Sequence, residues 1–430
     1  MSTFRIILLG VFAVFIVAGV LIFSGIIPAR GPAAEGLSGN VVIWGTLPRR
    51  AMSPAMDSIN RRFRELNVTY RQIEPAKFDV ELLEALAVGV GPDLLLLPQD
   101  LVLRHQDKVF PIPYESFPQR AFRDTFIAEA ELYLSPQGVL GLPISIDPLV
   151  MYWNRTLLTN AGIAGPPEFW DEIFSLAPVL TQKDPGGNII ESTVSFGEFD
   201  NVTGAKDIIA LLIIQAGNPI VARSGERFSS TLSSSMGLPQ NPAEAAIGFY
   251  TEFSNPTSAV YSWNRSLPPS RQAFIAGDLA FYIGRASELF EIRERNPNLD
   301  FDVVSVPQTR GTATKTTLGI MNALSITRVS RNSRGAFAVA NILSGRELSS
   351  QLAGDLALPP ARRDLLAVAP PGFYLPVFYR AALQARGWLD PHPEKTDEIF
   401  SDMISNITSG RLDVDSAISK ASGEIGLLLK

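Results

Sequence analysis

Between Val41 and Leu97 the sequence alternates between two hydrophobic periods, and few folds accommodate that alternation. Val41–Trp44 is an uninterrupted apolar run of the kind found in strands buried on both faces. Met52, Met56, Ile59, Phe63 and Leu66 then follow at i, i+4, i+7, i+11 and i+14, one stripe of a helix whose other face carries Arg61, Arg62 and Arg64. Val68–Ile73 predicts a second strand, Val80–Val88 a second helix and Leu94–Leu97 a third strand. The β-α-β-α-β order predicts a doubly wound, largely parallel α/β lobe.

A chain of 430 residues exceeds what one hydrophobic core usually supports, so two lobes are expected. From Asp147 onward the rhythm is more helical, with helical spacing over Asp207–Gln215, Ala243–Phe253, Gly335–Leu343 and Thr396–Ile407. Before the first strand, Ala29–Asn40 is rich in Gly, Ala, Pro and Ser and is expected to be a tether.

Ile6 to Ile27 is 22 residues without a charge. At about 1.5 Å per residue a helix of that length crosses a hydrocarbon core of about 30 Å. The run is longer than the apolar region of a usual cleaved leader, and no small-x-small site precedes Pro28 or Pro32, so an uncleaved membrane anchor is expected over residues 1–30. The flanking charges, Arg5 before and Arg30, Arg49 and Arg50 after, do not fix its orientation.

Composition narrows the function. With 46% hydrophobic and 19% charged residues the chain is an ordinary globular one. Beyond residue 30 it carries 35 basic against 43 acidic residues, a formal net of −8, which argues against a nucleic-acid partner. It has no cysteine, so thiol nucleophiles and lipid attachment through cysteine are excluded. Its two histidines, His105 and His392, lie far apart in Arg-His-Gln and Pro-His-Pro contexts that suggest surface loops and offer no zinc pattern. No Gly-x-Ser-x-Gly elbow and no phosphate-binding Gly-x-x-x-x-Gly-Lys loop is present. These features predict a protein without catalytic residues, metal or cofactor.

A series of short motifs carries a more specific signal: Val41-Val42-Ile43-Trp44-Gly45, Gly91-Pro92-Asp93, Gly141-Leu142-Pro143, Met151-Tyr152-Trp153-Asn154-Arg155, Pro166-Pro167-Glu168-Phe169-Trp170-Asp171, Gly277-Asp278-Leu279 and Leu318-Gly319-Ile320. In this order and spacing the chain resembles the extracellular solute-binding proteins of ABC importers, in particular the large family 1 that includes carbohydrate binders. The resemblance implies a two-lobed, type II periplasmic-binding-protein-like α/β fold. Its three crossings fall near Ser145–Asp147, Leu318–Asn322 and Leu365–Pro370. They give 41–146 plus 320–366 as lobe 1 and 147–319 plus 367–430 as lobe 2, after an anchor at 1–30 and a tether at 31–40. It also implies a monomeric receptor held outside the cytoplasmic membrane, with a small-molecule solute, a sugar in many relatives, and ABC permease subunits as partners. A second reading keeps the scaffold as an adhesion or protein-interaction module without a transported ligand.

A sugar calls for aromatic platforms flanked by acids, amides or hydroxyls. The resemblance places such candidates at Trp44 and Thr46 after the first strand, Asp100 after the third, Asp147 at the first crossing and Trp153 on the strand beyond it. In the second lobe they are Asn201, Trp263 and Arg285. Arg285 stands where sugar-binding relatives often carry a Trp, and a guanidinium equally suits a carboxylate or phosphate. Trp170, at a helix start, and Trp388 are expected to be structural.

Overall fold

The computed structural model describes residues 37–430. The uncharged run Ile6–Ile27 lies outside the described residues, and among those described no helix is long and apolar enough to cross a membrane.

The opening alternation folds as β1 (Gly39–Gly45), α1 (Arg49–Arg62), β2 (Leu66–Gln72), α2 (Pro75–Ala87) and β3 (Leu94–Pro98). β1 pairs in parallel with both β2 and β3. The helical stripe ends four residues earlier than its spacing predicts. Phe63 leaves helical geometry (φ −121°, ψ 85°), and Leu66 is instead the first residue of β2, buried beneath the sheet.

Two long strands set the architecture: β4 (Leu142–Asn154) and, much later, β8 (Thr317–Ile326). Between them lie β5 (Ile189–Val194), α3 (Ala205–Gln215), α4 (Pro242–Glu252), β6 (Leu279–Arg285) and β7 (Phe301–Val304). Within one ten-stranded sheet the order runs β2-β1-β3-β8-β4-β6-β5, with β7 paired to β4 and a short strand at Gln182–Lys183 closing the path. β8 runs antiparallel to β3 and to β4.

The sheet is continuous, but the apolar side chains divide into two clusters. Leu142, Ile144 and Ile146 of β4 pack in a first core with β1, β2 and β3, whereas Leu149 to Tyr152 of the same strand pack in a second core with β5 and β6. β8 changes cores in the opposite sense, Leu318 in the second and Met321 to Ile326 in the first. Asp147 and Ile320, opposite one another in register, mark the change on the two strands. After β8 come α5 (Ser333–Leu343) and α6 (Arg346–Leu356) on the first core, then a segment from Leu366 to Leu389 that contributes to both. α7 (Pro393–Thr408) and α8 (Val414–Leu428) finish the second core.

Tyr133 ties β3 to β8 from inside the first core. Its hydroxyl, fully buried, lies 2.7 Å from the Leu97 carbonyl oxygen and 2.9 Å from that of Met321. Tyr133→Phe is expected to cost about 1–2 kcal/mol, because it leaves buried carbonyl oxygens without their donor. Thermal denaturation measures this, and an unchanged melting temperature would show that the bond contributes nothing.

Candidate functional site

A cavity of about 850 Å³ lies between the two cores, lined by Thr46, Asp100 and Asn322 on one side and by Asp147, Arg285 and Ser287 on the other. Its lining follows from the strands. β1 ends at Gly45 and delivers Thr46; β3 ends at Pro98 and a single turn, Gln99–Leu101, delivers Asp100; β6 ends at Arg285, and the turn Ala286–Glu288 delivers Ser287. Loops at the carboxyl ends of strands are where α/β sheets place ligands.

Arg285 is the hub of the second-core wall. Its backbone is fixed twice: the N–H donates to Glu288 Oε1 at 2.9 Å, and the carbonyl accepts from the Tyr152 hydroxyl at 2.7 Å. Its Nη2 pairs with Asp207 Oδ2 at 2.5 Å, in the first turn of α3, where the helix dipole favours a carboxylate. Nη1 is buried and has no hydrogen-bond partner. Beside it Asp147 accepts two bonds from Ser287, from the backbone N–H at 3.0 Å and the hydroxyl at 2.6 Å. Burial pushes the Asp147 carboxyl up from its ordinary range, against the opposing pull of Arg285 and the Ser287 bonds.

Facing this wall, Asp100 is pushed up to about 6 by burial and by Asp390, with Lys206 and Arg285 pulling the other way. Its Oδ1 is buried without a partner. Asp390 is itself buried and is held by Lys206 Nζ at 3.1 Å and by the Thr396 hydroxyl at 2.7 Å. On the first-core rim Arg104 Nε donates to Asp79 Oδ2 at 2.8 Å, and His105 Nε2 lies 2.8 Å from Asp79 Oδ1.

The residues Leu95 to Gly372 match the family model described as bacterial extracellular solute-binding protein, over positions 95–372. The chain belongs to this family. A curated protein of Brucella abortus (strain 2308), described as a binding protein, is 21% identical over 364 residues, 80% of this chain and 81% of that one. Among solved structures, a cyclo/maltodextrin-binding protein complexed with maltotetraose is similar at a TM-score of 0.73 and 16% identity, covering 91% of this chain and 97% of that one. The cyclic α-maltosyl-1,6-maltose-binding protein from Arthrobacter globiformis gives 0.76 and 15%, covering 91% and 99%. At these identities the structures establish the α/β solute-binding-protein fold and carry no ligand to this chain.

In this solute-binding protein the cavity brings together Thr46, Asp100, Asp147 and Arg285 of the residues expected from sequence. The other four lie outside it. Trp44 is 7% exposed, packed in the first core with the Arg71 guanidinium over its ring at 4.4 Å, because the parallel register of β1 and β2 sets those two residues opposite. Trp263 is buried in the second core, and its indole N–H donates to Asn201 Oδ1 at 3.1 Å. The Asn201 amide donates onward to the Asn264 and Leu267 carbonyls, which makes the pair a loop fastening. Trp153 packs against the second core, half-buried, while neighbouring Tyr152 is the residue that reaches Arg285. Trp170 is buried and bonds Gln215, in keeping with the structural role expected of it.

The surface-loop expectation for His105 is corrected. It is fully buried beside Asp79, and burial pushes it down to about 4, so it is neutral. His392 lines the cavity together with Glu394 and Asp355. His392, Glu394, Ser287 and Arg50 come from turns and helix starts, Asp355 from the last turn of α6 and Asn322 from within β8, polar positions that hydrophobic period does not single out. Among the described residues no Trp or Tyr lines the cavity, and its exposed aromatic side chain is Phe290.

Proposed function

We propose that this solute-binding protein is the extracytoplasmic receptor of an ABC importer, that its solute is a carbohydrate, and that two lobes close around it. The observation that carries the reading is the cavity lined from both cores, with the Asp100 and Asp147 carboxyls and the Arg285 guanidinium among its lining. A sugar hydroxyl both accepts and donates, so a polyol suits a wall that mixes such groups. The relatives that bind maltotetraose or cyclic maltosyl-maltose support a carbohydrate as the solute class.

Lobe 1 then comprises 41–146 plus 320–366, and lobe 2 comprises 147–319 plus 367–430. The antiparallel pair β4 and β8, passing Asp147 and Ile320, supplies two parallel connections about which the lobes bend. A solute that touches both walls only in the closed form stabilises that form by its difference in affinity for the two. The protein performs no chemistry in this reading. The uncharged run Ile6–Ile27 supports tethering at the membrane, with permease subunits as the partner.

The test is a thermal-shift screen of the full chain in detergent against sugars, amino acids, peptides and phosphorylated metabolites. A ligand at a hundredfold excess over its Kd stabilises the folded state by about 2.7 kcal/mol. Asp147→Ala is expected to weaken the selected ligand by about tenfold or more without loss of the fold, since it removes a cavity carboxylate and frees Ser287. A shift produced only by amino acids, peptides or phosphorylated metabolites would overturn the carbohydrate assignment. No shift across all classes would favour a protein-interaction module.

A further inference from the structure

The cavity's deep end is not electrically balanced. Five carboxylates, Asp100, Asp147, Asp207, Glu288 and Asp390, interact there with two cations, Arg285 and Lys206, and Glu288 has Arg271 beside it as well. Both cations are already committed, Arg285 to Asp207 and Lys206 to Asp390. Asp100 and Asp147 are left facing the cavity with no cationic partner in contact, and Asp147 has only the uncharged Ser287 bonds. At the mouth Glu394, Asp355 and Asp79 are set against Arg50 and Arg104, which leaves an acid in excess there too. An anionic solute would meet this excess as repulsion, so Arg285 is not a free receptor for carboxylate or phosphate.

Buried like charges are relieved either by taking up a proton or by a counter-cation. Burial pushes both Asp100 and Asp147 upward, and Asp100, at about 6, still carries its charge at neutral pH in the cavity. Among the described residues no three acidic or histidine side chains are grouped closely enough to hold a metal ion. The second route therefore falls to the solute. Resting on the carbohydrate reading above, we infer that the solute carries an ammonium group which sits between Asp100 and Asp147, an aminated sugar being the form consistent with that reading. The Arg285 guanidinium then donates to a hydroxyl of the same solute, and the ammonium donates to the Asp100 and Asp147 carboxylates that line the cavity.

The experiment compares matched pairs on the full chain in detergent by calorimetry at pH 7.5: glucosamine with glucose, galactosamine with galactose, the β-1,4 glucosamine dimer with cellobiose, and spermidine as an amine without a sugar ring. Each monosaccharide pair exchanges an ammonium for a hydroxyl at one carbon, and the dimer pair does so at one carbon of each ring. The expected result is at least tenfold tighter binding of one amine over its hydroxyl partner, weakened by salt. Asp100→Asn should remove the preference while leaving the fold intact.

Affinity should also fall between pH 7.5 and 5 as Asp100 is protonated, in a setting of Asp390 and Lys206, Arg285 and Asp207, and the Tyr133 hydroxyl. Equal or tighter binding of the hydroxyl partners would overturn the ammonium inference and leave the carbohydrate receptor standing. Binding of spermidine alone would keep the ammonium and reject the sugar. No binding by any member at millimolar concentration would reject both.

Discussion

Arg285→Met is expected to lower the stability of the fold by about 3 kcal/mol at pH 7, a larger loss than any other single change in the cavity wall. The arginine makes a 2.5 Å ion pair with Asp207 and pulls down the carboxyls of Asp147 and Asp100. Methionine fills similar space but leaves those acids facing each other in a partly desolvated site. Their folded-state pKa values then rise further above the unfolded ones. An acid raised in this way costs nothing where both states hold the proton, and its cost grows as pH rises through the unfolded value. The deficit should therefore be largest near neutrality and shrink as pH falls toward 4. Urea denaturation of both proteins at pH 7 and 4.5 measures it. An equal deficit at both values would show that Arg285 contributes packing and not charge compensation.

The second large effect lies behind the cavity. Glu129 is buried with neither carboxyl oxygen hydrogen-bonded, and burial pushes it from 4.5 up to about 8, against the weaker pulls of Gln99 and Arg386. Space around it is tight. A Cβ on Gly387 would come within 2.3 Å of Glu129 Oε1 and 1.9 Å of Gln99 Nε2, and Gln99 is in turn held by the backbone N–H of Met321. Below pH 4.5 the folded and unfolded chains both hold the Glu129 proton, and the group is neutral in its effect. Between about 4.5 and 8 the unfolded chain releases it and the folded chain does not, so stability drains away as pH rises, by up to about 4 kcal/mol. Glu129→Gln lacks this drain. It should exceed the parent's stability at pH 8, with the advantage fading toward pH 4.5. A difference that does not vary with pH would contradict a protonated Glu129.

Much of the scaffold was legible because burial on both faces leaves a plain mark. Leu94–Leu97 reads as a strand with no structural help, as do the helical spacings of Ala243–Phe253 and Thr396–Ile407. Leu66 was misread because a residue apolar at the right helical offset is equally apolar at the start of the next strand, and only the backbone at Phe63 decides.

The site was legible where a strand end fixes a position, as with Thr46, Asp100 and Arg285. It was not where the direction of a side chain mattered. Trp44 and Trp153 sit on strands whose alternation is not visible in runs apolar throughout, and Asn201 and Trp263 satisfy one another across 62 residues of intervening chain. The charge surplus was hidden for the same reason. Lys206 and Asp207 open one helix and Asp390 comes from a loop far along the chain, and only the fold brings them together beside Arg285.

The exchange of β4 and β8 between the two cores also dictates when this chain can fold. The first core begins at Val41 but needs β8, α5 and α6 and still draws on Ala385 and Leu389. The second begins at Leu149 and is closed by Phe400, Ile418 and Ile425. The first half is complete only at Leu389 and the second only at Ile425, so both stay open for most of the chain's synthesis. Partners so distant in sequence are slow to find one another. Removing residues 391–430 would therefore strip Phe400, Ile418 and Ile425 from the second core while leaving the members of the first in the chain.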